Sequence, residues 1–212
     1  MDKFRNMRND MLAERVIKGL ASRNMEGFYV HTKEEAKELA LSLMPEGSSV
    51  GWGGSMTAKD IGLIDAVIEG NYKEINRDTA KTPEEKNKLS REMFFADYFI
   101  TGCNAMTEDG VMVNIDGNGN RVAAIVFGPS HVIVICGMNK IVRDEAAAFS
   151  RARNEAAPVN AQRFGLETPC SKTGVCADCK SPDTICCQFL TTRYSKHKGR
   201  IKVILVNEDL GF

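Results

Sequence analysis

The 212-residue sequence has no apolar run approaching the ~20 residues that a membrane helix needs. Its longest apolar runs, Val122–Phe127 and Val132–Cys136, are strand-sized. It has no charge excess either: 28 basic residues balance 28 acidic ones. A general nucleic-acid binder normally carries a basic surplus, so that class is disfavoured. The opening Met1-Asp2-Lys3-Phe4-Arg5 contains no apolar core of a secretory signal, and the expectation is a cytoplasmic protein with no membrane contact. Histidine is scarce, at three residues, and there is one tryptophan. His31 and His131 stand alone and are expected to make structural hydrogen bonds. The glycines do not follow G-x-G-x-x-G, and no Lys-Ser/Thr pair completes a P-loop. Internal repeats and low-complexity tracts are also missing.

The sequence does contain ordinary globular material. Hydrophobic residues make up 43% and charged residues 26%, enough to bury a sizeable core without staples. Helical spacing of Phe4, Met7, Met11, Leu12, Val16 and Leu20 predicts an amphipathic helix over 2–24. A short strand at Gly27–Val30 follows, then a helix capped by Thr32 with Glu35 as its capping-box partner, running to about Met44. Ser48–Trp52 reads as a strand and Met56–Glu69 as a helix. Tyr72–Ile75 is a strand candidate, and Thr82-Pro83 starts a helix. Strands are then expected at Tyr98–Thr101, Val111–Ile115, Val122–Phe127 and Val132–Cys136. Asn118-Gly119-Asn120 signals a hairpin between the middle two. Residues 143–157 read as helical, Pro158 begins another short turn of helix, and Ile201–Val206 is a buried strand. Alternating strand and helix predicts an α/β fold: a mostly parallel sheet with helices on both faces and one antiparallel hairpin.

Two segments carry polar chemistry at strand ends. Gly51-Trp52-Gly53-Gly54-Ser55-Met56-Thr57 leaves a strand and enters a helix. Glycines there permit positive φ and close backbone approach, while free amides and the helix dipole attract phosphate or carboxylate. Ser55 and Thr57 add hydroxyls. The plainer reading is a tight turn with Ser55 as an N-cap, and Trp52 either lines a pocket or packs beneath the helix. The second segment, Thr101-Gly102-Cys103-Asn104 through Thr107-Glu108-Asp109-Gly110, follows another strand. Parallel sheets bind ligands at this edge, so Asn104, Thr107 and Glu108 are expected to face the same crevice. Glu108 is the candidate catalytic base, if not merely part of a solvated turn. Asn114 near the expected hairpin and Lys140 after a strand are further ligand candidates, the lysine as a counter-charge to an anion. Cys103 has no partner histidine and acid in its sequence context, which argues against a catalytic nucleophile.

Five of the seven cysteines fall in one segment: Cys170, Cys176, Cys179, Cys186 and Cys187. In a reducing compartment this indicates a metal or iron–sulfur site rather than a disulfide framework. Cys176-Ala177-Asp178-Cys179 can place two sulfurs on one metal, with Cys170 and Cys186 completing four and Cys187 as a spare. A redox dithiol at Cys176/Cys179 and plain packing are the alternatives. The ferredoxin run C-x2-C-x2-C-x3-C-P is absent, and zinc against iron–sulfur stays open. The basic run Thr191–Arg200 suits an acidic partner or a solvated surface.

The glycine loop resembles that of ribose-5-phosphate isomerases. Thr101-Gly102-Cys103-Asn104 through Asn114 resembles a segment of the wider isomerase and CoA-transferase superfamily. More closely, Val50–Val142, with Gly128-Pro129 and Gly137-Met138-Asn139-Lys140-Ile141-Val142, resembles the LUD (lactate-utilisation) family, as does Val203–Phe212. The resemblance implies one Rossmann-type three-layer domain over 1–212, with 168–190 as a cysteine-rich excursion. It places a small anionic ligand at Gly51, Gly53, Gly54, Ser55, Thr57, Thr101, Gly102, Asn104, Thr107, Asn114 and Lys140. It further implies a redox-linked subunit of a lactate-oxidising complex. The alternatives are a sugar-phosphate isomerase or CoA-transferase-like enzyme, and a non-enzymatic sensor or assembly subunit with structural zinc. A homo-oligomer is compatible with all three.

Overall fold

The computed structural model describes residues 3–212. Helix α1 (Lys3–Ser22) is the amphipathic helix expected at the start, with Asp2 outside the described residues. It buries Ala13, Val16 and Leu20. Strand β1 (Glu26–Val30) leads to α2 (Lys33–Ser42), whose capping box joins Thr32 and Glu35 as the sequence indicates. Then come β2 (Ser49–Trp52), α3 (Met56–Asp60), α4 (Leu63–Glu69), β3 (Lys73–Ile75) and α5 (Pro83–Glu92). Strands β4 (Tyr98–Gly102), β5 (Ala105–Thr107) and β6 (Met112–Asp116) precede α6 (Asn120–Val126). The chain continues through β7 (His131–Gly137), β8 (Ile141–Val142), α7 (Glu145–Arg151), α8 (Ala157–Arg163), α9 (Pro169–Thr173), β9 (Gln188–Thr192) and β10 (Ile201–Val206).

Six strands form a parallel sheet in the order β1-β10-β7-β4-β2-β3. Side chains alternate across it, as strand geometry requires. Val132, Val134 and Cys136 of β7 join one apolar layer with α1, α6 and Phe99. Ile133 and Ile135 join the opposite layer with α2, α3 and α4. Each fully buried Ile, Leu or Phe in these layers contributes roughly 1.5–3 kcal/mol, so the two covered faces are what hold the sheet. Trp52 packs in the second layer, 2% exposed. His131 stacks on Tyr98 at 4.8 Å between ring centroids.

A smaller sheet, β8-β5-β6-β9, stands beside the first, with antiparallel β5/β6 and β6/β9 pairs. Helix α7 packs Ala148 onto it, and Ala152 just beyond the helix joins the same apolar cluster. The antiparallel element therefore exists, but not where the sequence places it. Val122–Phe127 is not a strand; most of it is α6. Asp116 Oδ atoms accept from the backbone amides of Asn118, Gly119, Arg121 and Val122 at 2.9–3.1 Å. Gly119, at φ 82°, makes the turn into the helix. That local cap overrides the strand preference of a β-branched run. The expected Met56–Glu69 helix is broken between α3 and α4 by Gly62 at φ 69°. The helix over 143–157 is α7 extended by a π-helical stretch, Ala152–Ala156, into α8. Strand β9, at the start of the expected basic loop, is an addition. Among the described residues no helix is long and apolar enough to cross a membrane.

Candidate functional site

Strands β2, β4 and β7 run side by side and end at the same edge of the large sheet. The β2–α3 loop, the residues after β4 and the turn after β7 therefore meet there, where a parallel sheet leaves a crevice. A cavity of about 350 Å³ opens at this edge. Gly54, Ser55, Thr57, Gly102, Asn104 and Lys140, all predicted from sequence, line it.

The glycine loop is a capped turn. Ser55 Oγ accepts from the Ala58 amide at 3.2 Å, and none of Gly51, Gly53 and Gly54 has positive φ. These glycines supply room instead. A Cβ on Gly53 would lie 3.2 Å from Arg121 Cδ, and one on Gly51 would meet Met93 at 2.7 Å. Gly102 plays the same part opposite, where a Cβ would stand 2.9 Å from Ser55 Oγ. Gly51 and Gly53 thus sit behind the cavity wall. Thr101 is buried with its hydroxyl on the Gly102 carbonyl, 3.1 Å away. Asn114 is fully buried; its Oδ1 accepts from Arg121 at 2.6 Å while its Nδ2 has no hydrogen-bond partner among the described residues.

Thr101 and Asn114, like Gly51 and Gly53, do not line the cavity, and two further predicted residues lie elsewhere. Thr107 Oγ1 donates to Asp109 and accepts from the Val111 amide, closing the β5–β6 turn. Glu108 pairs with Arg15 of α1 at 2.9 Å and does not line the cavity. The expectation that both face the crevice fails because β5 runs on beyond the sheet edge and joins β6 and β8 in the second sheet.

The electrostatic character of the cavity comes largely from residues that sequence reading passed over. Arg77, Arg121 and Arg163 join Lys140 on its walls. Arg121 is held by the Asn104 and Asn114 side chains and by the Ile115 carbonyl, all neutral acceptors. Burial pulls its pKa down, while Asp116 pulls it back up. Lys140 is 3% exposed and donates to Thr57 Oγ1 at 2.9 Å; burial lowers its pKa also. Neither side chain has a carboxylate within ion-pairing distance among the described residues. Arg163 lies over the Phe164 ring at 4.1 Å. The signal that could have located Arg121 was the helical spacing of Val122, Ile125 and Val126 after an Asp-rooted turn.

A second, small cavity of about 50 Å³ is lined by Cys170, Cys176, Cys179 and Cys186. Cys187, the spare, is exposed and off this cavity. Asp178 adopts φ 50°, turning the chain between Cys176 and Cys179. Burial pushes the Cys186 thiol up to about 11, and its three companion cysteines add to that. Arg153 donates to Cys176 Sγ at 3.7 Å. No three His, Cys, Asp or Glu side chains among the described residues are grouped closely enough to hold a single ion. Thr184 and Ile185 line both cavities, so the cysteine segment forms part of the wall of the first.

The LUD domain profile matches residues 13–206. The chain belongs to the LUD domain family. It is thus a lactate-utilisation-type protein in the family's sense, and the match covers both sheets and the cysteine segment. Among solved structures, a DUF162 family protein from Deinococcus radiodurans superposes with a TM-score of 0.54 at 13% identity. That alignment covers 94% of this LUD chain and 98% of the other, a likeness of fold. Ribose 5 phosphate isomerase A from Neisseria gonorrhoeae matches at a TM-score of 0.34 and 19% identity, over 53% of this chain and 54% of that one. No curated protein matches the LUD chain.

Proposed function

We propose that this LUD protein binds a small carboxylate or phosphorylated anion in the 350 Å³ cavity and serves as a redox-linked subunit carrying a cysteine-ligated metal centre. One observation carries the ligand reading: Lys140, which is buried, and Arg121, which is part-buried, are cations at the cavity wall with no carboxylate in ion-pairing distance among the described residues. Buried charge is costly unless compensated, and a bound anion supplies the compensation. Arg77 and Arg163 extend the positive wall, and Arg guanidinium forks suit carboxylate and phosphate oxygens. Ser55 and Asn104 add polar contacts for orientation.

Four thiols around one cavity support the metal centre. Soft thiolates suit zinc or iron–sulfur clusters. The redox role that the LUD resemblance implies favours a cluster over a lone zinc. When bound, such a cluster supplies one-electron transfer. The shared wall at Thr184 and Ile185 keeps the thiols next to the ligand cavity. The isomerase-like alternative relied on Glu108 as a base in the crevice, and Glu108 pairs with α1 instead.

Anaerobic purification followed by iron, sulfide and zinc analysis tests the centre. Iron with matching sulfide is the expected result; a single zinc per chain supports the structural-zinc alternative, and metal-free protein removes the redox role. Thermal-shift titration with inorganic phosphate, lactate and pyruvate tests the cavity. A saturable shift with at least one is expected, and none with any of them contradicts the ligand reading.

A further inference from the structure

Beneath the cationic cavity lies a second pair of sulfurs. Cys103 follows β4 and Cys136 is near the end of β7, one step past the Gly102–Ile135 pairing, on strands that run parallel. Their Sγ atoms are 3.4 Å apart. Cys103 lines the cavity and is 3% exposed, whereas Cys136 is fully buried behind it. Neither belongs to the cysteine segment.

We propose that Cys103 and Cys136 form a peroxide-reactive dithiol, in which Cys103 is the attacking thiolate reached through the cavity and Cys136 the resolving thiol. Three cations act on Cys103: Lys140 and Arg151, both buried, and the part-buried Arg121. Lys140 and Arg121 have no carboxylate in ion-pairing distance among the described residues, so a thiolate at Cys103 is a favourable counter-charge for them. The Cys136 thiol stabilises the thiolate by hydrogen bonding, and together with these cations it brings Cys103 down to about 7; Cys136 is driven the other way. Cys103 is therefore the more readily ionised of the two, and Cys136 the one that keeps its proton longer. The division of labour is that of an attacking and a resolving cysteine.

The chemistry balances with a hydroperoxide as the oxidant. Cys103 sulfur attacks the terminal peroxide oxygen; the S–O bond forms, the O–O bond breaks, and the departing alkoxide or hydroxide takes a proton. The product is a Cys103 sulfenic acid. Cys136 sulfur then attacks that sulfenic sulfur. The S–S bond forms, the S–O bond breaks, and the Cys136 proton leaves with the hydroxyl as water. Two thiols lose two electrons and the peroxide gains them. The sulfurs need to close by about 1.4 Å to reach disulfide length. With 3% exposure, Cys103 admits only a small oxidant.

This inference needs the cations but no bound ligand, so it stands or falls apart from the anion-binding reading. The test treats the native protein with hydrogen peroxide, blocks remaining thiols under denaturing conditions, and maps cysteine peptides by mass spectrometry. An intramolecular Cys103–Cys136 disulfide is expected, forming faster as pH rises through about 7. In C136S, a dimedone adduct should appear at Cys103; in C103S, Cys136 should stay reduced. Recovery of both as free thiols from the native protein, while segment cysteines oxidise, overturns the proposal and requires no variant to fold. Oxidation of Cys136 in C103S, or a pH-independent rate between about pH 6 and 8, overturns the assignment of Cys103 as nucleophile.

Discussion

The two cavities share a wall and differ in almost everything else. The larger is lined with cations mounted on or beside regular elements: Lys140 just after β7, Arg121 in α6, Arg163 in α8. Its side chains are fixed by hydrogen bonds to Thr57, Asn104 and Asn114. The smaller is lined with thiols on a segment whose only helix is the short α9. The first site is preorganised by the sheet and is short of negative charge. The second gathers four donors that repel one another once ionised, a repulsion that the proposed metal would offset. A rigid cation cradle and a loop ordered by the proposed metal should therefore respond to mutation in opposite ways.

The largest effect is expected at the loop. Replacing Cys176 and Cys179 together by serine should reduce metal content to background and make segment 168–187 the first point of proteolysis, as read by metal analysis and limited trypsin digestion. Unchanged metal content would remove the distinction between the sites. Arg121→Ala comes next. It strips the guanidinium from Asn104, Asn114 and Ile115 and leaves buried acceptors unpaired. A loss of about 3 kcal/mol in urea unfolding is expected. Lys140→Met sharpens the contrast, because it removes a buried cation whose carboxylate partner is missing. Stability should hold or rise, while anion affinity falls about tenfold, or roughly 1.4 kcal/mol. The smallest effect is expected for Glu108→Gln. Its partner Arg15 is largely exposed, so the pair contributes under about 1 kcal/mol, and anion affinity should not change.

The sequence made the large sheet legible because its central strands are short, continuous apolar runs, as a sheet covered on both faces requires, and its helix starts carry standard caps, such as Thr32 with Glu35 and Thr82 with Pro83. The second sheet was harder. Its strands are short, and β9 hides between a cysteine cluster and a basic run. The strand expected at Val122–Phe127 failed because Asp116 lies six residues before Val122 yet binds its amide. Local pattern does not reveal a side chain that caps from outside the helix. The same misreading concealed Arg121. At the sheet edge, strand-end position brings Ser55, Gly102, Asn104 and Lys140 to one cavity. It misled for Thr107 and Glu108, because the chain crosses into the second sheet just after Asn104. The four cysteines were readable from composition and spacing. Cys103 was set aside for want of a histidine, and its surrounding cations come from three distant stretches of chain that only the fold assembles.

The most direct test of the cation cradle is calorimetric titration of inorganic phosphate into the native protein and Lys140→Met at low ionic strength. Saturable heat in the native protein, weakened about tenfold in the variant with its unfolding free energy maintained, is the predicted result. Equal affinity in the two proteins, or no saturable heat in the native one, would contradict the assignment of the cations as an anion site.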